Sequence, residues 1–138
     1  VESTFRLNQP HVASEELAGD LMLLHFGSGL YYNLSGVGAD MCAFLLAGGT
    51  VAAAAAAMAT RFGLEVSVVN RDVEVFVRRL VDEGLLVATP RPAYTKPMRI
   101  TAKVYEPPQF QKYDDMADQL LLDKIDDQST QVRDPLVP

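Results

Sequence analysis

The chain has a single cysteine among its 138 residues, so no disulfide can form within it. Cys42 stands in an apolar, helix-like stretch, where a buried and inert thiol is expected. The two histidines, His11 and His25, have no Cys or Glu at ligand spacing. No metal site is therefore expected. Positive charge is scarce: 12 Lys and Arg against 18 Asp and Glu give a formal net charge of −6. That is a poor electrostatic footprint for nucleic acid. No apolar run reaches transmembrane length, and the alanine-rich run from Ala52 to Ala57 carries little hydrophobic payload. No secretory signal is visible, although the chain starts on Val1 and a preceding piece is allowed. A cytoplasmic protein that does not engage a membrane is the expectation. The turn Gly27-Ser28-Gly29 is not a phosphate loop, because no helix follows it to receive an anion. With no nucleophile–base pair either, nothing supports an enzyme, and no cofactor is expected.

What the sequence does hold is a small apolar domain followed by a proline-rich, charged appendage. Residues 4–7 alternate apolar and polar, as a short strand does, and 12–17 is a weaker strand candidate. The run Leu21-Met22-Leu23-Leu24-His25-Phe26, the Gly-containing turn and the run Leu30-Tyr31-Tyr32-Asn33-Leu34 read together as a hairpin. Ser35 is placed to cap a first helix, with Val37, Met41, Phe44 and Leu45 at helical spacing and Gly48-Gly49 as its stop. Thr50 caps a second, alanine-rich helix that ends at Gly63. A third helix spans 67–83, stops at Gly84 and leads into a short strand at 85–87. This order predicts an α+β domain of the winged helix-turn-helix kind: an N-terminal hairpin or three-stranded sheet, three helices and an extended C-terminal tail. The domain is expected over 1–89, a linker over 90–104, a segment with a short helix over 105–127, and a disordered end over 128–138.

The third helix has two apolar faces. Val69, Val73, Phe76, Val77 and Leu80 fall within about a third of the circumference and form the core stripe. Val68 and Val75 lie outside that stripe, beside Asp72 and Arg79. They are either merely exposed or one wall of a groove for a peptide.

The appendage supplies a candidate ligand. Pro90, Pro92 and Pro97 break regular structure, and the stretch from Thr89 to Val104 could span on the order of 50 Å if extended. Enough chain is available to fold back over its own domain or to reach a second molecule. Tyr105-Glu-Pro-Pro-Gln-Phe110 then combines a stiff, polyproline-like backbone with two aromatic anchors. Such a segment suits a groove or a sheet edge. Beyond it, Asp114 or Asp115 is placed to cap a short helix with Met116, Leu120, Leu121 and Ile125 as its apolar positions.

Leu23-Leu24, Gly29 to Ser35, Val37-Gly38, Gly49-Thr50-Val51, Asp72-Val73, Phe76, Leu80 and Gly84-Leu85-Leu86 form an ordered set. That set resembles the PqqD-like family over about residues 17–87. Its fold is also called the RiPP recognition element, after ribosomally made, post-translationally modified peptides. The resemblance implies a non-catalytic module that binds the leader of a precursor peptide as an added strand and serves a modifying enzyme. It makes Leu30, Tyr31, Tyr32, Val68, Asp72, Val75 and Arg79 groove candidates; whichever of the two tyrosines faces the core would pack the hairpin instead. The tail is similar to the Tyr-x-x-Pro-x-Leu motif of lasso-peptide leaders, with Tyr105, Pro108 and Phe110 at the motif positions and Phe in place of Leu. The expected partners are a leader peptide, a modifying enzyme, and the chain's own tail or that of a second copy. The alternative is a winged-helix DNA-binding regulator, for which the third helix offers Arg71, Arg78 and Arg79 among acidic neighbours.

Overall fold

The structure is a computed structural model and describes residues 4–92 and 96–113. Among the described residues, six strands and three helices follow one another as β1 (Thr4–Leu7), β2 (Val12–Leu17), β3 (Asp20–His25), β4 (Leu30–Leu34), α1 (Gly36–Leu46), α2 (Val51–Phe62), α3 (Val66–Asp82), β5 (Leu86–Thr89) and β6 (Gln111–Tyr113). The architecture is α+β, as expected. Helix and strand positions agree with the apolar periodicity to within a residue or two.

The strands divide into two sheets. β2, β3 and β4 form an antiparallel meander, and β6 joins it as a fourth strand beside β4. β1 leaves this sheet and pairs antiparallel with β5, Phe5 opposite Ala88. The β1–β5 ribbon joins the two ends of the domain. Asn8 reinforces it, its amide side chain donating to the Gly84 carbonyl at 2.9 Å. The buried Thr4 hydroxyl lies 3.1 Å from the Thr89 carbonyl and 3.0 Å from that of Arg91. Nothing in the local pattern of residues 4–7 named β5 as the partner, because that pairing is made across most of the chain.

Alternation sets the core face of the meander. Leu21 and Leu23 of β3 point inward together with Tyr32 and Leu34 of β4, and the register places Leu23 opposite Tyr32. The α3 stripe is buried as its spacing required: Val69, Val73, Phe76, Val77 and Leu80. α2 turns Ala54, Ala55, Met58 and Ala59 inward and packs on α3. Alanine faces permit this approach because they add little bulk at the contact. Cys42 is fully buried and reduced, and burial pushes its thiol up to about 12.

The caps differ in one place from expectation. Thr50 caps α2, its Oγ1 accepting from the Ala53 N–H at 3.1 Å, and Gly63 closes the helix in the left-handed region at φ 67°. Ser35 does occupy the N-cap of α1, but its side chain makes no cap bond. α3 begins at Val66 after Glu65, which makes no side-chain cap either.

After β5 the chain returns along the domain, with Met98, Ile100 and Ala102 packed on the core. Among the described residues no helix is long and apolar enough to cross a membrane. The helix and tail expected beyond residue 113 lie outside the described residues.

Thr50→Ala leaves the Ala53 N–H without its partner and should cost about 1 kcal/mol. A urea titration should show a lower midpoint with an unchanged slope; an unchanged midpoint would show that the cap contributes nothing.

Candidate functional site

β4 would end the meander with an open row of backbone donors and acceptors, a feature proteins seldom leave bare. Here β6 covers it. Asn33 lies opposite Gln111, Tyr32 opposite Lys112 and Tyr31 opposite Tyr113, in antiparallel register. The ladder starts only after Phe110, so the Tyr105–Phe110 segment leads into the added strand and is not the strand itself. Pro107 and Pro108 lack an N–H and cannot donate to a ladder, so the segment before it is held by side chains.

Phe110 is the central anchor, only 8% exposed. Its ring meets the edge of Tyr32 at 5.4 Å and 79°. The Arg79 guanidinium lies 4.5 Å from the Phe110 centroid, a geometry in which the ring quadrupole attracts the cation. Tyr105 is half-buried and tilted against Phe62, with centroids 6.0 Å apart. Its hydroxyl donates to Asp72 Oδ2 at 2.7 Å. Pro108 is buried between these anchors in sequence. Downstream, Tyr113 stacks on Tyr31 at 4.9 Å and 19°, a cross-strand aromatic pair.

Gly38 makes room for the segment. A Cβ at that position would stand 2.6 Å from the Gln109 carbonyl oxygen. This contact is with backbone, so the clash could not be relieved by a rotamer change.

Glu83 ties the sheet, α3 and β6 together. The Tyr32 hydroxyl donates to Glu83 Oε1 at 2.8 Å, and Lys112 Nζ lies 2.9 Å from the same oxygen. The Lys112 hydrogen bond is the chief reason that the Glu83 carboxyl is held below its usual range; burial opposes it, while Tyr32 and the charges of Lys112 and Arg79 assist it. Burial, followed by the hydrogen bond to Glu83, raises the Tyr32 phenol, and burial followed by Asp72 raises that of Tyr105. Both hydroxyls are therefore firm donors at neutral pH. The Lys112 side chain is substantially exposed, so its pairing is screened by salt.

The residues singled out from sequence separate here. Tyr105 meets Asp72, Phe110 meets Arg79 and Tyr32, Tyr31 stacks on Tyr113, and Pro108 is buried. Tyr32 is a core residue whose hydroxyl and ring edge reach the site, and Tyr31 and Leu30 are half-buried. Val68 and Val75 remain 45% and 47% exposed with the segment in place; the charged neighbours on their face of α3 take the tyrosine and the phenylalanine. Asp114 and Leu120, which depart from the glycine and threonine of the lasso-leader pattern, lie outside the described residues. Sequence reasoning passed over Glu83, Phe62, Lys112 and Tyr113. Glu83 looked like an ordinary helix-end charge, and only the packing of Tyr32 reveals its task.

Two consequences can be measured. Gly38→Ala should raise the intrinsic helix propensity of α1 by about 1 kcal/mol and yet loosen residues 105–113, because the Gln109 carbonyl must move. Hydrogen exchange should speed up at Gln111–Tyr113; unchanged protection there would contradict the contact. The Glu83 carboxyl is lowered, so its contribution is complete above the ordinary value of 4.5 and is lost as pH falls through its lowered value. Thermal stability of the native protein should therefore decline through that acidic window more steeply than that of Glu83→Gln. Parallel profiles would remove Glu83 from the network's energetics.

The fold is similar to that of known proteins. The family model for coenzyme PQQ synthesis protein D (PqqD) matches residues 20–86, which run from β3 into β5 and include both β4 and α3. Among curated proteins none matches the chain. Solved structures that resemble it include TbiB1 in complex with the TbiA(beta) leader peptide, at 26% identity over 58% of this chain and 93% of that one, with a TM-score of 0.52. Another is a lasso peptide synthetase B1 complexed with the leader peptide, at 26% identity over 60% of this chain and 96% of that one, with a TM-score of 0.56. Over residues 20–86 this chain is thus similar to the PqqD family, and its fold to that of lasso peptide synthetase B1 proteins.

Proposed function

We propose that the protein is a non-catalytic peptide-recognition module. It takes the leader of a ribosomally made precursor as an added strand on β4, against α3, and presents the remainder to a modifying enzyme, for instance a radical or an ATP-dependent one. The observation that carries this reading is the seat of residues 105–113: a strand on the β4 edge, preceded by a tyrosine and a phenylalanine held by Asp72, Arg79 and Tyr32. Main-chain bonds supply affinity in such a mode, and side-chain pockets supply selectivity. The leader complexes of the two related structures support the same assignment. The groove residues are Leu30, Tyr31, Tyr32, Asp72 and Arg79, with Val68 and Val75 as the exposed margin of the α3 wall.

In this reading the chain's own arm is a leader mimic that fills the groove, either in its own domain or exchanged with a second copy. Tethering sets an effective concentration of roughly millimolar order, so a free leader must bind well to displace it. The compartment this reading assigns is the cytoplasm, where ribosomal precursors are made. The DNA-binding alternative has less support, since Arg79 on α3 is engaged by Phe110.

The test uses the full-length chain and a synthetic peptide of residues 96–113. Tyr105→Ala with Phe110→Ala removes the arm's anchors, each contributing on the order of 1.5–3 kcal/mol. Calorimetry should then give saturable binding at least about tenfold tighter than to the wild-type chain, whose groove is filled. No saturable binding by the folded double variant would overturn the proposal. Mass in solution decides between the two arm placements: an exchanged arm requires a dimer that the double variant weakens.

A further inference from the structure

Residues 105–113 do not exhaust the arm's contacts. Four residues before Tyr105, the chain crosses α1 at Asp40. That carboxylate is only 7% exposed, and it accepts three hydrogen bonds, all from the arm. Its Oδ2 accepts from the Thr101 N–H at 2.8 Å and from the Ala102 N–H at 2.9 Å, while Oδ1 accepts from the Thr101 hydroxyl at 2.8 Å. Two of these bonds read backbone and would be offered by any non-proline residue. The third reads a side-chain hydroxyl.

A buried carboxylate is costly unless it is paired or fully hydrogen-bonded, and charge-assisted bonds are the stronger kind. Asp40 sits in the middle of α1, where a carboxylate has no helix-end role. The arm meets its needs through these three bonds. Removing the arm, or replacing its hydroxyl with an apolar group, would leave a buried acceptor short of a partner. Such a site discriminates against analogues that lack the bonding group more sharply than an apolar pocket discriminates by size.

We propose that Asp40 is a hydroxyl-reading subsite of the groove, which selects the chain's own arm through a Thr or Ser four residues before the anchor tyrosine. This rests on the reading of the groove as a peptide site and extends that site over α1, away from β4. The recognised pattern becomes Thr/Ser-x-x-x-Tyr-x-x-Pro-x-Phe, with Asp40, Asp72, Gly38 and Arg79 as successive checkpoints. The anchors supply apolar area, and Asp40 supplies register: a peptide shifted by one residue would present the wrong group to it.

Hydrogen exchange on the full-length chain tests this. Thr101 is exposed apart from this contact, so Thr101→Val should preserve the fold. It should speed exchange at Gln111–Tyr113 by roughly tenfold or more, the loss expected for one charge-assisted hydrogen bond. Thr101→Ser should restore wild-type protection. The β2–β3 ladder should be unaffected throughout. If that ladder loosened by the same factor, Asp40 would be a general stability element and the proposal would fall. If Thr101→Val exchanged as the wild type does, the subsite would be refuted while the groove reading stood. If Gln111–Tyr113 were unprotected in the wild type, the arm would not be seated and both would fail. A second measurement separates the tethered arm from a free peptide. Added to the Thr101→Val chain, a 96–113 peptide with threonine should bind about tenfold tighter than one with valine at that position; equal affinities would overturn the selectivity.

Discussion

Tyr32 is the point on which the sheet, the third helix and the arm all depend. It is fully buried in the middle of β4 and lies opposite Leu23 of β3. Its ring edge meets Phe110, and its hydroxyl reaches Glu83 at the end of α3. A residue of this shape satisfies two demands at once. The ring fills the space between sheet and helix, and the buried O–H finds the acceptor it needs. Because Glu83 also meets Lys112, the polar end of Tyr32 links the domain to the strand laid on its edge.

The edge of β4 imposes the second constraint. A meander of three strands leaves one side open beside a helix whose outer face carries Asp72 and Arg79. An extended segment covers both, but not with the same residues. Gln111–Tyr113 supplies the ladder, whereas the proline-containing piece before it is fastened by Tyr105 and Phe110. Rigidity and laddering are separated along the arm because proline favours the first and forbids the second. Gly38 belongs to the same arrangement, since its missing side chain lets the Gln109 carbonyl lie on α1. The arm is thus held by several short-range contacts spread over β4, α1 and α3.

Much of this is legible in the chain itself. The hairpin runs, the stripe of α3, the Thr50 cap and the Gly63 stop are local features, carried by spacing and by residues with special backbone or capping properties. The anchors Tyr105 and Phe110 stood out because large aromatics within a proline-rich stretch have no local core to join. Asp72 and Arg79 were visible as charges beside Val68 and Val75. Their assignments within the site were less legible: the charged pair takes the arm, while the two valines stay about half exposed. Glu83 and Asp40 gave no local sign, since a carboxylate on a helix is ordinarily a solvated one.

By itself, then, the sequence determined the order of elements, the inward faces and the presence of a stiff aromatic arm, because each follows from contacts within a few residues. Only the tertiary structure decided that β1 leaves the meander for β5, that the ladder begins after Phe110, and that Asp40 is buried under Thr101. These depend on which distant segments meet. The physical reason is that burial creates the demand: a carboxylate, a phenol or a strand edge becomes selective only when water has been removed and one particular partner remains.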